Sequence, residues 1–259
     1  MAVCAACAAS VAFATEGVAG DTTFGILKLA DTSSTDLVIS VPWTDCETGR
    51  GVLVSNLVMT TNLTPDDILI RKDGSNYQSW GLTSSGWSGM TIAETGTGTA
   101  WKPGVTNITA GANTTRVARG NAFMLHRQDP TIGPIYFYGR YDISPTNSTL
   151  IAGETTLVGN PGTSGQPFAL HNLNVSGGAG DGDIVIIGSK TYTYKTAYTN
   201  WTYKKAGETP ITLPNGQTTT VPETVVVHGR DAAHTVTIPA GQGFWYRRKT
   251  GNSNTSINW

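Results

Sequence analysis

Histidine binds metals and transfers protons near neutral pH, so its spacing is the first place to look for chemistry. The chain of 259 residues has four histidines: His126, His171, His228 and His234. None has another histidine two or four residues away, the spacings at which one strand or one helical turn presents two ligands. A site assembled from histidines distant in sequence is the alternative, but the pattern predicts no metal centre.

A serine nucleophile requires a sharp strand-to-helix turn of the Gly-x-Ser-x-Gly type. No such motif occurs, and Ser84-Ser85-Gly86 and Ser164-Gly165 are typical of turns. The only cysteine after residue 14 is Cys46, whose acidic neighbours Asp45 and Glu47 disfavour a thiolate. The sequence therefore predicts no catalytic nucleophile.

Paired carboxylates are harder to judge, because two acids from any two positions can meet across a cleft and hydrolyse a glycosidic bond. The candidates for such a pair are Asp66, Asp67, Glu94, Glu154, Asp181 and Asp183. Most adjoin glycine or proline at the ends of predicted strands, where aspartate commonly bonds the backbone of a turn. We predict no catalytic residue, no cofactor-binding residue and no enzymatic activity. An extracellular hydrolase is the alternative if two of these carboxylates face each other.

The segment 177–183, with the sequence GGAGDGD, shares its glycines and aspartates with calcium-binding nonapeptide repeats. Those repeats work in series, since each turn completes the ligand set of its neighbour, and here the segment occurs once. The segment therefore predicts a turn. A calcium ion held by oxygens of Asp181 and Asp183 is the alternative.

Aromatic side chains could form a platform on which sugar rings stack, or they could fill the core of a β protein. The candidates are Trp80, Trp87, Trp101, Trp201, Tyr203, Trp245 and Tyr246. Three aromatic pairs recur in the two halves of the chain: Tyr77 with Tyr192, Trp87 with Trp201, and Phe123 with Phe244. A binding site would more often differ between the halves, so recurrence favours core packing.

Runs rich in valine, isoleucine, threonine and aromatic residues alternate with turn-forming clusters along the chain after residue 14, which predicts antiparallel strands. The predicted strands are Phe24–Leu29, Asp36–Val41, Gly51–Leu57, Asp67–Arg71, Ala122–Arg127, Ile135–Tyr141, Thr155–Val158, Phe168–Leu173, Asp183–Ile187, Thr191–Tyr198, Thr224–Val227, Thr235–Ile238 and Gly243–Arg248. The pattern predicts an all-β sandwich or barrel.

An internal repeat organises these strands. Val54-Ser55-Asn56-Leu57 matches Leu170-His171-Asn172-Leu173, and the Asp67-Ile68 strand matches Asp183-Ile184, both 116 residues apart. Each copy closes on a glycine, a phenylalanine and an arginine: Gly120, Phe123 and Arg127 in the first, and Gly241, Phe244 and Arg247 or Arg248 in the second. We predict two tandem, internally duplicated β units over residues 15–138 and 154–259. Phe24–Leu29 would complete the first.

Composition and the N-terminus indicate where the protein works. Charged residues make up 14% of the chain, against about 25% in an average soluble protein, and the net charge is −1. Nucleic acid is therefore not expected as a partner, since phosphate binding needs a basic excess. Residues 1–14 are apolar and end in Ala12-Phe13-Ala14, the pattern of a signal-peptidase site. We predict either a signal peptide or a retained apolar segment, too short for a membrane span.

The opening strand Thr23–Leu29, the strand Asp36 to Pro42-Trp43, and the closing segments Gly120–Arg127 and Gly241–Arg248 resemble uncharacterised exported β-rich proteins of verrucomicrobia-like bacteria. The chain departs from that pattern in having Ala122 where the second copy has Gly243. The resemblance implies export from a bacterial cell and β structure. It implies no activity and supplies no functional residues.

Together these features predict a non-enzymatic extracellular or cell-surface structural protein. We expect it to be a surface or filament subunit that associates with copies of itself by β-strand addition. A secreted carbohydrate-binding protein that uses exposed aromatic residues to bind glycans is the alternative.

Overall fold

The computed structural model describes residues 12–14, 24–28, 36–41, 44, 51–56, 63–73, 76–84, 86–89, 107–108, 115–129, 135–140, 145–161, 167–205, 210–212, 217–220, 223–227 and 235–259. Within these residues the regular structure consists of β strands and two short 3₁₀ helices, so the predicted all-β class is confirmed. No helix in this part of the chain is long and apolar enough to cross a membrane.

The strands of the first half of the chain are β1 (Ala12–Ala14), β2 (Phe24–Lys28), β3 (Asp36–Ser40), β4 (Val52–Leu53), β5 (Ile68–Asp73), β6 (Asn76–Thr83), β7 (Gly86–Gly89), β8 (Asn107–Ile108), β9 (Arg116–Val117), β10 (Ala122–His126) and β11 (Tyr136–Arg140). A 3₁₀ helix, Val54–Asn56, follows β4.

The strands of the second half are β12 (Asn147–Leu150), β13 (Thr155–Gly159), β14 (Phe168–Ala169), β15 (Ile184–Ile187), β16 (Lys190–Lys195), β17 (Asn200–Lys205), β18 (Pro210–Thr212), β19 (Thr218–Thr220), β20 (Glu223–Val226), β21 (Thr237–Ile238), β22 (Gly243–Arg247) and β23 (Thr255–Asn258). A 3₁₀ helix, Leu170–Asn172, follows β14.

Every predicted strand overlaps an observed one, and the differences have physical reasons. The predicted strands Gly51–Leu57 and Phe168–Leu173 are each only half extended, because the second part of each turns into a 3₁₀ helix. Several observed strands, among them β7, β17 and β23, were not predicted. Nor was β6, because Tyr77 is out of phase with the apolar positions Trp80 and Leu82. Pairing with β5 and β7 on either side holds it extended all the same.

Two large sheets dominate the fold, and five strands of each follow the same order. The sheet of the first half has the order β3-β10-β5-β6-β7, with β8 beside β6, and that of the second half has the order β13-β22-β15-β16-β17-β20. In both sheets the strand that follows the closing glycine (β10 or β22) lies between the first strand (β3 or β13) and the strand that follows the repeated aspartate (β5 or β15). None of the sheets in the described ranges closes into a barrel.

Residue registers align the two sheets position by position. Phe123 faces Ile39 and Phe244 faces Val158. His126 faces Ile68 and Arg247 faces Ile184, so the residue that corresponds to Arg127 is Arg248. The two matching four-residue segments at 54–57 and 170–173 both contain a 3₁₀ helix.

The registers also correct one predicted correspondence. Tyr192 pairs with Val185, and the residue that pairs with the equivalent Leu69 is Trp80, not Tyr77. The β5–β6 hairpin extends two pairs further than the β15–β16 hairpin before its Gly-Ser turn, which displaces Tyr77 from the equivalent position. The pairing of Trp87 with Trp201 is supported, since each lies on the third strand of its meander.

Each large sheet buries one face in its own core. The first core contains Ile39, Val41, Val52, Val54, Leu69, Trp80, Trp87, Val117, Phe123, Leu125, Ile135 and Ala240. The second contains Leu150, Val158, Leu170, Val175, Val185, Tyr192, Trp201, Val227, Ile238, Phe244, Tyr246 and Ile257. Edge-to-face aromatic pairs lie in both, with ring centroids 6.0 Å apart for Trp80–Phe123 and 5.8 Å apart for Trp201–Tyr246.

Smaller sheets accompany the large ones. In the first half β2 pairs with β11, and β1 adds to the other edge of β2. In the second half β12 pairs with β23, so a strand lies inside the segment 139–153 where we expected only a connection. β1 consists of the Ala12-Phe13-Ala14 segment that we predicted as a cleavage site.

The two halves meet through the edges of their first strands, and the contact is reciprocal. The Ser40 N–H donates to the carbonyl of Gly241 (2.7 Å), and the Gly159 N–H donates to the carbonyl of Gly120 (2.8 Å). Ser40 and Gly159 end the corresponding strands β3 and β13, and Gly120 and Gly241 are the corresponding closing glycines. The two hydrogen bonds are therefore reciprocal, because each half donates from the end of its first strand and accepts at its closing glycine.

Glycine on one side of this junction makes the close approach of the halves feasible. A Cβ at Gly243 would lie 2.8 Å from the Cβ of Ala122, its counterpart in the other half. A Cβ at Gly159 would lie 2.6 Å from the Cβ of Ser40, again its counterpart. A Cβ at Gly243 would also lie 2.7 Å from Val38 Cγ1 and 2.9 Å from the Val158 carbonyl oxygen, so the close approach excludes a side chain at Gly243, whereas Ala122 keeps its methyl group opposite that glycine.

Candidate functional site

The repeated Asp-Ile pairs place an aspartate immediately before the central strand of each large sheet. Asp183, before β15, has a fully buried side chain. Its Oδ2 atom accepts hydrogen bonds from Arg248 Nη1 (2.5 Å), from the Tyr246 hydroxyl (2.6 Å) and from the Gly180 N–H (2.9 Å). Tyr246 lies near the end of β22, and Arg248 directly follows that strand. This carboxylate therefore joins the glycine-rich turn to the neighbouring strand.

The other oxygen of the same carboxylate is equally engaged. Asp183 Oδ1 accepts from the Lys249 N–H (3.0 Å) and from Asn252 Nδ2 (2.7 Å). Positive φ angles at Gly177, Gly178 and Gly182 let the preceding segment turn tightly enough to bring a backbone N–H onto the carboxylate. With five donors the carboxylate has no lone-pair direction left for a further ligand.

These contacts govern the ionisation of the cluster. Burial alone would raise the pKa of Asp183, but hydrogen bonds from the Lys249 N–H, Tyr246, Gly180 and Asn252 outweigh burial and lower this pKa below its ordinary value. Burial, together with the hydrogen bond to Asp183, raises the pKa of Tyr246 well above its ordinary value. The carboxylate is therefore ionised and the phenol protonated near neutral pH, as the hydrogen bond between them requires.

Asp67 occupies the corresponding position in the first half and does a similar job. Its side chain is buried and accepts hydrogen bonds from the Thr64 N–H (2.9 Å), the Thr64 hydroxyl (3.2 Å) and the Gln128 N–H (2.7 Å). Two of these contacts have direct equivalents at Asp183, namely the bond from the residue three positions earlier and the bond from the residue after the buried arginine. Both aspartates thus join a turn to the end of an adjacent strand.

The other candidate acids and bases either contact other groups, lie exposed, or fall outside the described residues. Glu154 forms an ion pair with Lys72 (3.3 Å), and Asp181 accepts a hydrogen bond from the Thr196 N–H. Asp66 is exposed. His126 Nδ1 lies 2.8 Å from Asp36, and His171 lies in the 3₁₀ helix 170–172. His228, His234 and Glu94 lie outside the described residues.

The hypotheses of a metal centre and of a calcium site can be weighed against this geometry. The described residues contain no group of three histidine, cysteine, aspartate or glutamate side chains that could hold a metal ion. A calcium ion at Asp181 and Asp183 would have to displace Arg248 and four other donors from the second carboxylate. The geometry does not fit that role, and the segment is the turn that the sequence predicts.

Most of the candidate aromatic residues whose side chains are described lie in the cores. Trp80, Trp87 and Trp201 are buried. Tyr246 is also buried, Tyr203 packs edge-to-face on Tyr192 with centroids 5.8 Å apart, and Trp245 is partly exposed. Trp101 lies outside the described residues. A sugar platform made of these tryptophans therefore has little exposed ring surface in the described part of the chain.

The face of the second sheet opposite its core carries a different surface feature. A groove of about 960 Å³ runs along β16 and β17. Its lining residues are Ser189, Lys190, Thr191, Thr193, Lys195, Ala197, Tyr198, Thr202, Tyr203, Lys204, Lys205 and Thr224. We call this surface the lysine–tyrosine groove; its lining has four lysines and no acidic residue.

Strand alternation produces this groove. In β16 the residues Tyr192 and Tyr194 belong to the core, whereas Thr191, Thr193 and Lys195 point the other way. Sequence analysis missed the groove, because its lysines lie on two strands and at both ends of a hairpin. The available signal was the alternation of lysine and threonine with tyrosine over residues 190–195.

Comparison of the chain with protein-family models, with curated protein sequences and with solved structures found no match.

Proposed function

We propose that this chain is a non-enzymatic, exported structural protein whose copies associate through the edges of their β-sheets. The observation that carries the proposal is the reciprocal contact between the halves, in which strand edges and closing glycines exchange backbone hydrogen bonds. These edges are occupied within the chain, so the contact supports the proposal as a precedent: one β unit of this chain already joins the other through strand edges. The resemblance to exported β-rich proteins supports the location.

The carboxylates support a structural role over a hydrolytic one. Asp67 and Asp183, the two buried acids among the candidates that the structure describes, use their oxygens to accept hydrogen bonds from turns and strand ends. A glycosidase needs one acid free to donate a proton and another free to attack or activate water. Neither aspartate has that freedom, so the geometry favours a scaffold.

The outer edge of β20 is the surface that we propose for association. Among the described strands β20 pairs only with β17. The Val227 N–H donates to Trp201, so by antiparallel alternation the backbone groups of Thr224 and Val226 point to the opposite edge. An edge of this kind is a template for another strand.

The two ends of the molecule differ, and this asymmetry determines what kind of assembly would form. At the other end the outer strands are β7 and β8, which both lie beside β6. A contact between the β20 edge of one copy and the β7–β8 edge of the next would be head-to-tail. Such contacts do not close a dimer, and they extend into rings or filaments.

The test is sedimentation velocity over a range of protein concentrations, with negative-stain microscopy of the same samples. We expect the wild-type chain to form larger species as concentration rises, and Val226→Lys to shift this onset upward, because charge on an edge strand opposes pairing. The control is Thr191→Lys, which adds the same charge to the same sheet face on β16, a strand already paired on both sides. A wild-type chain that stays monomeric at the highest concentration would refute the proposal.

A further inference from the structure

We propose that the lysine–tyrosine groove binds an acidic polysaccharide. The groove is an open trough of about 960 Å³ along β16 and β17; Thr191, Thr193 and Lys195 line it from the face of the second sheet opposite its core, and Lys190 and Lys205 line it from the ends of these strands. The groove reaches Thr224 on β20, but its lysines lie on β16 and β17, so a glycan can bind along these two strands whether or not copies associate at the β20 edge.

Charge is the first argument. Four lysines, Lys190, Lys195, Lys204 and Lys205, line the groove in a chain whose net charge is −1, so basic charge is concentrated locally. Lys190, Lys195 and Lys204 are exposed at the ends of their strands. Acidic residues occur on neighbouring elements: Asp181 precedes β15, and Glu223 pairs with Lys205 in the sheet register.

The span of the lysines indicates an extended ligand. Lys190, which begins β16 at the hairpin turn, and Lys195, which ends the strand on its outer face, are about 17 Å apart for a strand that rises roughly 3.3 Å per residue. A single small anion cannot contact both. A polymer that carries a negative charge on successive units can, and ammonium groups on flexible stems do not impose the fixed geometry that arginine would.

The uncharged lining favours a sugar polymer. Between the lysines lie the hydroxyl groups of Thr191 and Thr193, which can exchange hydrogen bonds with sugar hydroxyls, and the Thr224 hydroxyl, which accepts a hydrogen bond from Lys204 Nζ (2.5 Å). Tyr198 is 52% exposed, the largest exposure among the large apolar side chains in the described ranges, and it lines the groove. An exposed ring beside hydroxyl groups suits stacking against the apolar face of a sugar.

These features favour an acidic glycan over a nucleic acid. Single-stranded nucleic acids are bound by several aromatic rings in a row, together with a basic excess over the whole domain. The groove has one strongly exposed ring, and the chain has no basic excess.

The test is calorimetric titration of the full-length chain with polygalacturonate fragments, at a concentration where the protein is monomeric. Heparin fragments provide the sulfated source of the same charge, dextran is the neutral control, and single-stranded DNA is the competing polymer. We expect binding to one or both acidic glycans, little binding to dextran, and weakening as NaCl rises from about 0.05 to 0.5 M, where the screening length becomes short.

Variants connect the binding to the groove. We expect Lys190→Gln combined with Lys195→Gln to weaken binding about three- to tenfold, as for two exposed charge contacts, and Tyr198→Ala to weaken it about two- to fivefold. The control is Lys249→Gln, which removes an equal charge from an exposed lysine of the same half outside the groove. Three results would overturn the proposal: no binding to either acidic glycan, equal binding by the double variant, or tighter binding to DNA.

Discussion

Replacing the buried carboxylate of Asp183 tests whether the repeated aspartates hold the fold. In Asp183→Ala the Arg248 guanidinium, whose side chain is 7% exposed, loses a partner 2.5 Å away. Removing one member of a buried ion pair costs about 3–5 kcal/mol, because the remaining charge stays desolvated. Against a total stability of roughly 5–15 kcal/mol for a typical domain, this is enough to unfold the second half under mild denaturant.

The assay is urea unfolding followed by circular dichroism, combined with hydrogen exchange of peptides from each half. We expect protection to fall in β15, β16 and β22 and to persist in β5, β6 and β10, which form the internal reference. The matched variant is Asp67→Ala, whose carboxylate accepts its hydrogen bonds from Thr64 and from a backbone N–H. Asp67→Ala should cost less, about 1–3 kcal/mol, because Thr64 and the Gln128 N–H are neutral donors.

The same residue makes a prediction about pH. The folded-state pKa of Asp183 is lowered, so the ionised carboxylate stabilises the fold fully above the unfolded-state pKa of about 3.9. This contribution is lost as pH falls through the folded-state pKa. The difference in unfolding free energy between the wild type and the milder variant Asp183→Asn should therefore be constant above about pH 5 and shrink in more acidic solution. A pH-independent difference, or unchanged protection in β15 of Asp183→Ala, would refute the reasoning.

Three further predictions concern the junction and the cores. Gly243→Ala should destabilise the chain by about 1–3 kcal/mol, because the new Cβ would lie within 2.7–2.9 Å of Val38 Cγ1, the Ala122 Cβ and the Val158 carbonyl oxygen; adding Ala122→Gly removes one of these overlaps and should restore part of the loss in thermal melts, whereas a fully additive pair would contradict the contact with Ala122. Gly120→Ala should cost about 1–3 kcal/mol in urea titrations, because φ at Gly120 is 86° and the new methyl group would also crowd Trp259; a neutral result would argue against this closing turn. Trp201→Ala should cost about 3–5 kcal/mol in the same titrations, whereas Tyr198→Ala should stay within about 0.5 kcal/mol; similar values would mean that the two residues are not core and surface, respectively.

Much of the candidate site depends on contacts that sequence spacing does not encode. Asp183 was identified as a turn aspartate from its glycine neighbours, and the structure agrees. That it is also the partner of Arg248, 65 residues away, depends on β22 lying beside β15. The choice between Arg247 and Arg248 as the closing arginine was open in the sequence, since only the sheet register shows which one faces the carboxylate.

The lysine–tyrosine groove also depends on contacts that sequence spacing does not encode. Alternation along β16 indicates which residues share a face, but not which face is buried. Packing of Tyr192 and Tyr194 against Trp201 and the rest of the second core decides that Thr191, Thr193 and Lys195 face outward. Pairing with β17 then brings Lys204 beside them, which no local pattern predicts.

The sequence by itself determined the all-β class, the positions of the central strands and the matching segments of the two halves, because side-chain periodicity and turn residues act over a few positions. The tertiary structure decided the strand order and the correspondence of Trp80 with Tyr192 in the two halves. It also decided the reciprocal junction between Ser40, Gly159 and the closing glycines. Those features arise from contacts between strands far apart in the chain, where register and close approach depend on the packing of whole sheets.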